Sequence, residues 1–418
     1  MLELKGVIKM RETIDKLLER VRSRKYPERW AEIYDEAMDD FEKNGLNALD
    51  PAYYDRVSRD YGALTPHLDD YKRAAAEIAK DETLSRVLAL VCFAMRDRDK
   101  IYGELPQFEL PHNADKSYDI KYEMFTGVAL ASMLDYTYNM LKKKEFPQEQ
   151  IDYTMRLFGS AVSNYKARNG GKAGAFAFGY YNRAVDGRFL DMGRLQIELY
   201  VKASDRAIVY ENSAGDIVHL ATNARFHRDG YALGSKNYEN EDGAFDTFVE
   251  ETEESYIGHP YDDYGRAKRE TIILSKREWK KIIAPGDYMV GLHIPGGGKM
   301  SADLIDKALF DARKFLTEHF PEFNYKGFKC RSWLIDKQLV DLLGEETNIS
   351  KFCNRFRRIS LKSAGKDVFS FVYHIPETRE PCIEELPENT SLERALKRHF
   401  LGGGEIYEVD GFIPKDKI

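Results

Sequence analysis

Three consecutive glycines, Gly296, Gly297 and Gly298, stand between Pro295 and Lys299, and the residues on either side give them chemical meaning. Tyr288 to Ile294 is a short apolar run that reads as a buried strand, and Pro295 stops it because proline cannot donate to a sheet ladder. After the loop Ser301 stands at an N-cap position, and Leu304, Ile305, Ala308, Leu309, Ala312, Phe315 and Leu316 recur at helical spacing. Strand, glycine loop and helix in this order aim backbone N–H groups and the positive end of a helix dipole at one spot, which suits a phosphate. Glycine lets a ligand come close because no Cβ intervenes. The same string also fits a plain flexible turn, so its surroundings must decide.

Few titratable residues stand where they could act. His293 ends the strand beside the loop; an imidazole titrates near neutral pH and suits a general base, although a histidine there can equally be a hydrogen-bonded member of the sheet. Glu198 alternates with Gln196 and Tyr200 on one face of a predicted inner strand. Partly buried, it would have the raised pKa of a base; facing solvent, it would be an ordinary strand residue. His374 repeats the His-Ile-Pro context at another predicted strand end. Cys330 is a nucleophile only in a positively polarised setting and otherwise a core thiol. Glu251 and Glu254 would suit a hydrolase, but they lie in a run of charge that reads as solvated surface.

Two phosphate-binding motifs are excluded. A P-loop requires Ser or Thr after Gly298-Lys299, where Met300 stands, and a glycine at the position of His293. The G-x-G-x-x-G spacing and flanking βαβ units of a dinucleotide site are absent as well. At 418 residues, 43% hydrophobic and 12% aromatic, the chain is long enough for more than one domain with its own core. A net charge of -7 argues against a general nucleic-acid binder. Cys92, Cys330, Cys353 and Cys382 are widely spaced, so neither a metal site nor a disulfide framework is expected. The charged N-terminus has no signal-peptide core and no apolar run reaches membrane-spanning length. A cytoplasmic protein without a membrane partner is the expectation.

The elements that must position these residues fall into two groups. From Met10 to about Lys166 the spacing is helical: Ile14, Leu17, Leu18 and Val21 mark one helix, and Trp30, Ile33, Tyr34, Ala37 and Phe41 the next, closed by Gly45. Thr65-Pro66 signals a helix through Ile78, followed by helices over Thr83 to Met95, Tyr118 to Lys142 and Pro147 to Lys166. Past Asn169 strands are expected at Ala175 to Tyr181, Gly193 to Val201, Ala207 to Tyr210, Ile217 to Ala221 and Arg225 to Tyr231, with a hairpin turn at Ser213 to Asp216. The acidic stretch Tyr238 to Glu254 reads as the least structured part. Arg269 to Leu274 is a strand, and Trp279 opens an amphipathic link. Beyond the long helix come a strand over Phe328 to Ile335, a helix from Lys337 to about Arg355 broken near Gly344, a strand over Val368 to His374, a helix over Leu392 to Phe400 and a strand over Glu405 to Phe412. The fold class is α+β, with domains at 1–168 (all helical) and 169–418 (mixed sheet).

This order of elements resembles the GNAT acyltransferase fold. More closely, the chain resembles bacterial acyltransferase-domain proteins that join a helical N-acyltransferase N-terminal domain to a GNAT-like C-terminal domain. The resemblance rests on Gly193-Arg194-Leu195-Gln196 to Leu199, Glu250 to Glu254 with Gly258-His259-Pro260, Gly286-Asp287 with Leu292-His293-Ile294-Pro295, Cys330 with Ser332 to Asp336, Asn348-Ile349 with Phe352 and Arg355-Phe356, and Leu392 to Gly404. It implies an N-acyltransferase that uses acetyl-CoA or another acyl-CoA as co-substrate, with no metal, and a small-molecule or peptide amine as acceptor. It further implies that Gly296, Gly297, Gly298, Lys299 and Met300 hold the coenzyme A pyrophosphate, with Ser301 capping the helix, and that Leu292 and His293 line the pantetheine and acyl region. His293, Glu198 and Asn348 are then the catalytic candidates, Asn348 near the leaving pantetheine, while Arg355, Arg357 and Arg358 form a basic cluster for the 3′-phosphate. The chain departs from the family pattern in having no arginine in the loop and no tyrosine from Gln338 to Arg358. Those departures keep a second expectation open, an acyl-CoA-binding or regulatory module without turnover.

Overall fold

The structure, a computed structural model, describes residues 12–417 except 24, 105–106, 114–116, 234–241, 297, 362–365 and 376–379. The chain divides into two units, Met1–Phe189 and Leu190–Ile418.

The N-terminal unit is helical: α1 (Ile14–Arg20), α2 (Glu28–Asn44), α3 (Pro51–Tyr61), α4 (Leu68–Ala79), α5 (Glu82–Met95), α6 (Arg98–Glu104), α7 (Ile120–Glu123), α8 (Phe125–Ala131), α9 (Leu134–Lys143), α10 (Gln148–Arg168) and α11 (Phe178–Val185). Helix α5 is apolar nearly all round, burying Leu84, Val87, Leu88, Leu90, Val91, Ala94 and Met95, as a helix at the centre of a core must. Asp50 caps α3 through the amide of Ala52, with Pro51 at the first helical position, and Asp81 caps α5 through Leu84. Gly45 ends α2 with φ at 69°. Three expectations change. Thr65-Pro66 lies in the turn before α4, whose N-cap is His67. Tyr118 to Lys142 forms three helices rather than one, because every residue of α8 is buried and packing dictates its direction. Ala175 to Tyr181 is not a strand: Ala177 takes the left-handed conformation (φ 59°) and α11 begins after it.

The C-terminal unit contains β1 (Phe189–Met192), β2 (Leu195–Lys202), β3 (Ala207–Asn212), β4 (Ile217–Ala221), β5 (Arg225–Phe226), β6 (Phe245–Asp246), β7 (Val249–Glu251), β8 (Ser255–Pro260), β9 (Ile272–Ser275), β10 (Trp279–Ile283), β11 (Tyr288–His293), β12 (Tyr325–Ser332), β13 (Arg357–Leu361) and β14 (Glu408–Pro414). Its helices are α12 (Ala302–His319), α13 (Lys337–Leu343), α14 (Asn348–Cys353), α15 (Lys366–Val372) and α16 (Ser391–Leu401). One sheet runs β1-β2-β11-β12-β14-β13, and a second runs β10-β3-β4-β8-β7, with β9 also paired to β8. The two sheets meet through Val209, Ile283, Met289 and Phe412. β11 and β12 are parallel, joined by the crossover helix α12, which lays Ile305, Ala308, Leu309, Ala312 and Leu316 inward and packs on β2 and α14.

Several expectations fail here for physical reasons. The acidic Glu250 to Glu254 is not loose chain: β7 and β8 form an antiparallel hairpin whose turn is tied by the Thr252 and Ser255 side chains. The part of that stretch within 234–241 lies outside the described residues. Arg225 to Tyr231 is strand only at β5, the presumed link at Trp279 is β10, and Val368 to His374 is helix α15, which puts Val368 into a small core with Trp333, Leu339, Leu386 and Leu396. The hairpin at Ser213 to Asp216 and the break at Gly344 (φ 83°) are present as expected.

Glycine is required where β12 passes β14. A Cβ on Gly327 would stand 2.3 Å from the carbonyl oxygen of Ile413, which is backbone and cannot rotate away. Gly327→Ala is expected to cost about 1–3 kcal/mol through overpacking, read as a lower urea midpoint; an unchanged midpoint would show that the strands can separate without loss.

Candidate functional site

The parallel ladder between β11 and β12 ends at Gly291↔Lys329. Past that point β11 continues to His293 against β2, and β12 continues to Ser332 against β14. A wedge therefore opens between the two central strands. Its mouth leads toward the glycine loop.

Glu198 and His293 meet at this mouth. Glu198 pairs across the ladder with Gly291, and His293 with Gln196, so the two side chains are diagonal neighbours on one sheet face. His293 Nε2 lies 2.8 Å from Glu198 Oε2. The Glu198 side chain is 8% exposed and that of His293 30%, so a buried carboxylate holds an imidazole that reaches solvent. A carboxylate so deeply buried requires such a partner. With Nε2 donating to Glu198, the basic lone pair of a neutral imidazole is on Nδ1. The alternation of Gln196, Glu198 and Tyr200 on one face stops at Tyr200. From Gly291↔Glu198 to Met289↔Val201, β2 spends one residue more than β11, and Tyr200 takes φ 62°. This bulge brings Val201 to the face of Glu198, while Tyr200 packs edge-on to Tyr288 and Phe323. Gly291 itself leaves room: a Cβ there would lie 3.1 Å from Glu198 Cβ and 2.9 Å from Val201 Cγ2.

On the other side of Gly291, Lys329 Nζ stands 3.2 Å from Asp410 Oδ2 and donates to the Lys202 carbonyl at 3.2 Å. This pair lines a cavity of about 20 Å³, room for about one water, with Ala203, Val209, Met289 and Phe412. Neither residue carries a signal in the sequence, because their meeting depends on the β12–β14 register.

In the loop, Gly296, Gly298 and Lys299 are exposed, Met300 is half-buried, Leu292 is buried at the strand end, and Gly297 lies outside the described residues. Ser301 occupies the N-cap position of α12 without capping a backbone amide. Its hydroxyl bonds Asp303, whose carboxylate also takes the backbone N–H groups of Asp303 and Leu304 and is held below its usual range by these bonds. A negative side chain thus stands in the first turn of α12, where it is favourable to the helix dipole.

The other candidates do not join the pair. Asn348 is exposed at the first position of α14, and Thr347 rather than Asn348 is the cap. His374 is exposed after α15 with φ 56°. The arginine cluster is split: Arg355 pairs with Asp306 at 2.6 Å, and buried Arg358 donates to the carbonyls of Ile335, Asp263 and Cys353, so it is not available to a ligand. Glu251 is held down to about 2 by hydrogen bonds from Lys276 and Lys281 on an exposed strand, which removes the carboxylate-pair reading. In the N-terminal unit His67 Nε2 lies 2.7 Å from Ser163 Oγ, with Asp70 nearby. Asp70 is engaged by Lys166 at 2.5 Å, and Ser163 sits inside α10, where the backbone N–H groups that would form an oxyanion hole are spent on the helix.

A mixed sheet whose parallel central strands part beside a glycine loop and a crossover helix defines a GNAT-like domain. Residues 189–413 match the family described as the GNAT-like C-terminal domain, and the chain belongs to that family. Similar solved structures include an acyltransferase in complex with decanoyl-CoA and teicoplanin (18% identity, TM-score 0.57, 96% of this chain and 98% of that one). Another is an acyltransferase mutant in complex with octanoyl-CoA (17%, 0.60, 96% and 99%), and a third an acyltransferase in complex with CoA and 10C-teicoplanin (17%, 0.61, 96% and 98%). At these identities the likeness is one of fold, and it extends over both units. No curated protein matches the sequence. Among the described residues no helix is long and apolar enough to cross a membrane.

Cys330 can be set aside as a nucleophile. Burial pushes its thiol up to about 12, and that of Cys92 to about 11, so neither is a thiolate at neutral pH, whereas Cys382 is exposed. Iodoacetamide on the native protein is expected to modify Cys382 and to leave Cys330 and Cys92 intact by peptide mass spectrometry. Rapid labelling of Cys330 would restore it as a candidate.

Proposed function

We propose that the chain is an acyl-CoA-dependent N-acyltransferase that moves an acyl group from a coenzyme A thioester to an amine. The observation that carries this reading is the wedge past Gly291 and Lys329 with the Glu198–His293 pair at its mouth. Family membership and the acyl-CoA complexes of proteins with this fold support it. In this reading the amides and cation of Gly296, Gly297, Gly298, Lys299 and Met300 take the pyrophosphate, and the pantetheine arm runs into the wedge past Leu292. The acceptor amine attacks the thioester carbonyl carbon, the C–N bond forms, and His293 takes the proton the amine loses, with Glu198 compensating the imidazolium. The C–S bond then breaks and the thiolate leaves as coenzyme A. No step is assigned to Asn348. The resemblance in the sequence implies acetyl; the octanoyl and decanoyl chains in neighbours of the same fold extend the donors to medium chains. The acceptor is a small molecule or peptide with a free amine, and teicoplanin belongs in the first panel because it is bound by one of those neighbours.

The test is release of free coenzyme A thiol from acetyl-, octanoyl- and decanoyl-CoA across amine acceptors. Acyl-CoA binding with no thiol release from any acceptor would instead make the chain a binding or regulatory module, the reading favoured by the absence of a tyrosine from Gln338 to Arg358. His293→Gln is expected to lower kcat by about 10²- to 10⁴-fold, the range for loss of a general base, while the acyl-CoA Kd from calorimetry changes little. A kcat within threefold of the parent would remove His293 from the mechanism.

A further inference from the structure

We propose that Arg194, on the turn between β1 and β2, is a positioning residue that sets the glycine loop for phosphate and supplies the guanidinium the loop itself lacks. The inference rests on the acyl-CoA reading and deepens it. Arg194 Nε donates to the Lys299 carbonyl at 2.8 Å and Nη1 to the Pro295 carbonyl at 2.9 Å. One rigid, planar guanidinium thus ties together the two ends of the glycine segment.

The consequence follows from peptide geometry. In a trans peptide unit the C=O and the following N–H point in opposite directions. Turning the carbonyls of Pro295 and Lys299 toward Arg194 therefore turns the N–H groups of Gly296 and Met300 away from it, toward the side from which an anion can approach. Gly298 has its own part in this. A Cβ there would lie 3.2 Å from Arg194 Nε, 3.3 Å from Cδ and 3.4 Å from Cζ, so a side chain would push the guanidinium by a few tenths of an ångström and strain its two bonds to the loop. The turn that presents Arg194 is fixed in turn by Gly193, at φ 76°, whose N–H donates to Asp191 at 3.0 Å.

Charge points the same way. Among the described residues no carboxylate pairs with Arg194, whose bonds are to neutral carbonyls. An arginine keeps its charge in such a setting. Asp303 puts a negative charge in the first turn of α12, while Arg194 and Lys299 place positive side chains at the loop. The arginine that the family pattern places within the loop is thus supplied from 101 residues earlier in the chain by the β1–β2 turn.

The experiment compares the parent, Arg194→Gln, Arg194→Lys and Gly298→Ala with two donors, an acyl-CoA and the matching acyl-pantetheine, which has no pyrophosphate. Arg194→Gln is expected to raise Kd and KM for acyl-CoA about tenfold or more, the size of a lost charge-assisted contact, with kcat at saturation nearly unchanged. Activity toward acyl-pantetheine is expected to stay at the parent level. Arg194→Lys should recover part of the affinity, since one ammonium does not bridge both carbonyls as a fork does. Gly298→Ala should reproduce the selective loss with Arg194 intact. An unchanged acyl-CoA Kd in Arg194→Gln, or an equal loss with both donors, would overturn the role of Arg194 while leaving the acyl-CoA reading in place. A parent protein that binds no acyl-CoA would overturn that reading and the role of Arg194 with it.

Discussion

Gly291 and Lys329 are the last residues at which β11 and β12 share a ladder, and the C-terminal unit is arranged so that both strands can part there. A strand that leaves its neighbour turns backbone N–H and C=O groups loose, and such groups are costly to bury unpaired. Past the division β2 still pairs the outer edge of β11 and β14 that of β12, so only the groups that face the wedge lose their ladder partner. The absence of a side chain on Gly291 keeps the row between Glu198 and Lys329 open, and on either side of it a buried carboxylate is matched by a base, Glu198 by His293 and Asp410 by Lys329. Pairing at both places satisfies charges that neither sheet face could hold alone.

The parts of this that were legible in the sequence are local. An apolar run ended by proline, three glycines and a 3.6-residue repeat were enough to place β11, the loop and α12, because each signal lies within a few residues of the structure it causes. His293 and Glu198 were each singled out on chemical type. Their contact was not legible, since it depends on a register that contains a bulge, and the bulge falls on Tyr200 rather than on the glycine that usually marks a positive φ. Arg194 was hidden for the same reason, as its partners lie 101 and 105 residues away. The failures of element type have a common origin. Val368 to Tyr373 is rich in β-branched and aromatic residues, but its apolar side chains are needed in a core built with α13 and α16, and packing overrode propensity. In β10 and β13 lysines and arginines interrupt the apolar pattern, and they hide strands whose charged side chains are exposed or, at Arg358, buried against carbonyls.

The N-terminal unit follows a different logic, in which charge is used to fasten helices together. Arg98 reaches both carboxylate oxygens of Asp186 and the side chain of Asn182, joining α6 to α11 and the turn after it. Glu104 accepts from Arg29 and from the indole of Trp30, fastening α6 to α2. Buried or half-buried groups of this kind are satisfied by several hydrogen bonds each, which is the condition for their being tolerated inside a helical core.

The strand order of the first sheet also has a bearing on how the protein is made. β12 and β13 do not touch each other; β14 lies between them and pairs with both. On the ribosome β11, α12 and β12 are therefore complete well before the strand that covers β12 exists, and during that interval β12 presents an open ladder edge to whatever is near. Asp336 extends the dependence, because this buried carboxylate caps α13 and also accepts from the amide of Tyr407, one residue ahead of β14. The side of the wedge formed by β12 thus gains its backing only when the last strand arrives, so a chain interrupted before β14 leaves an adhesive sheet edge in place of a site.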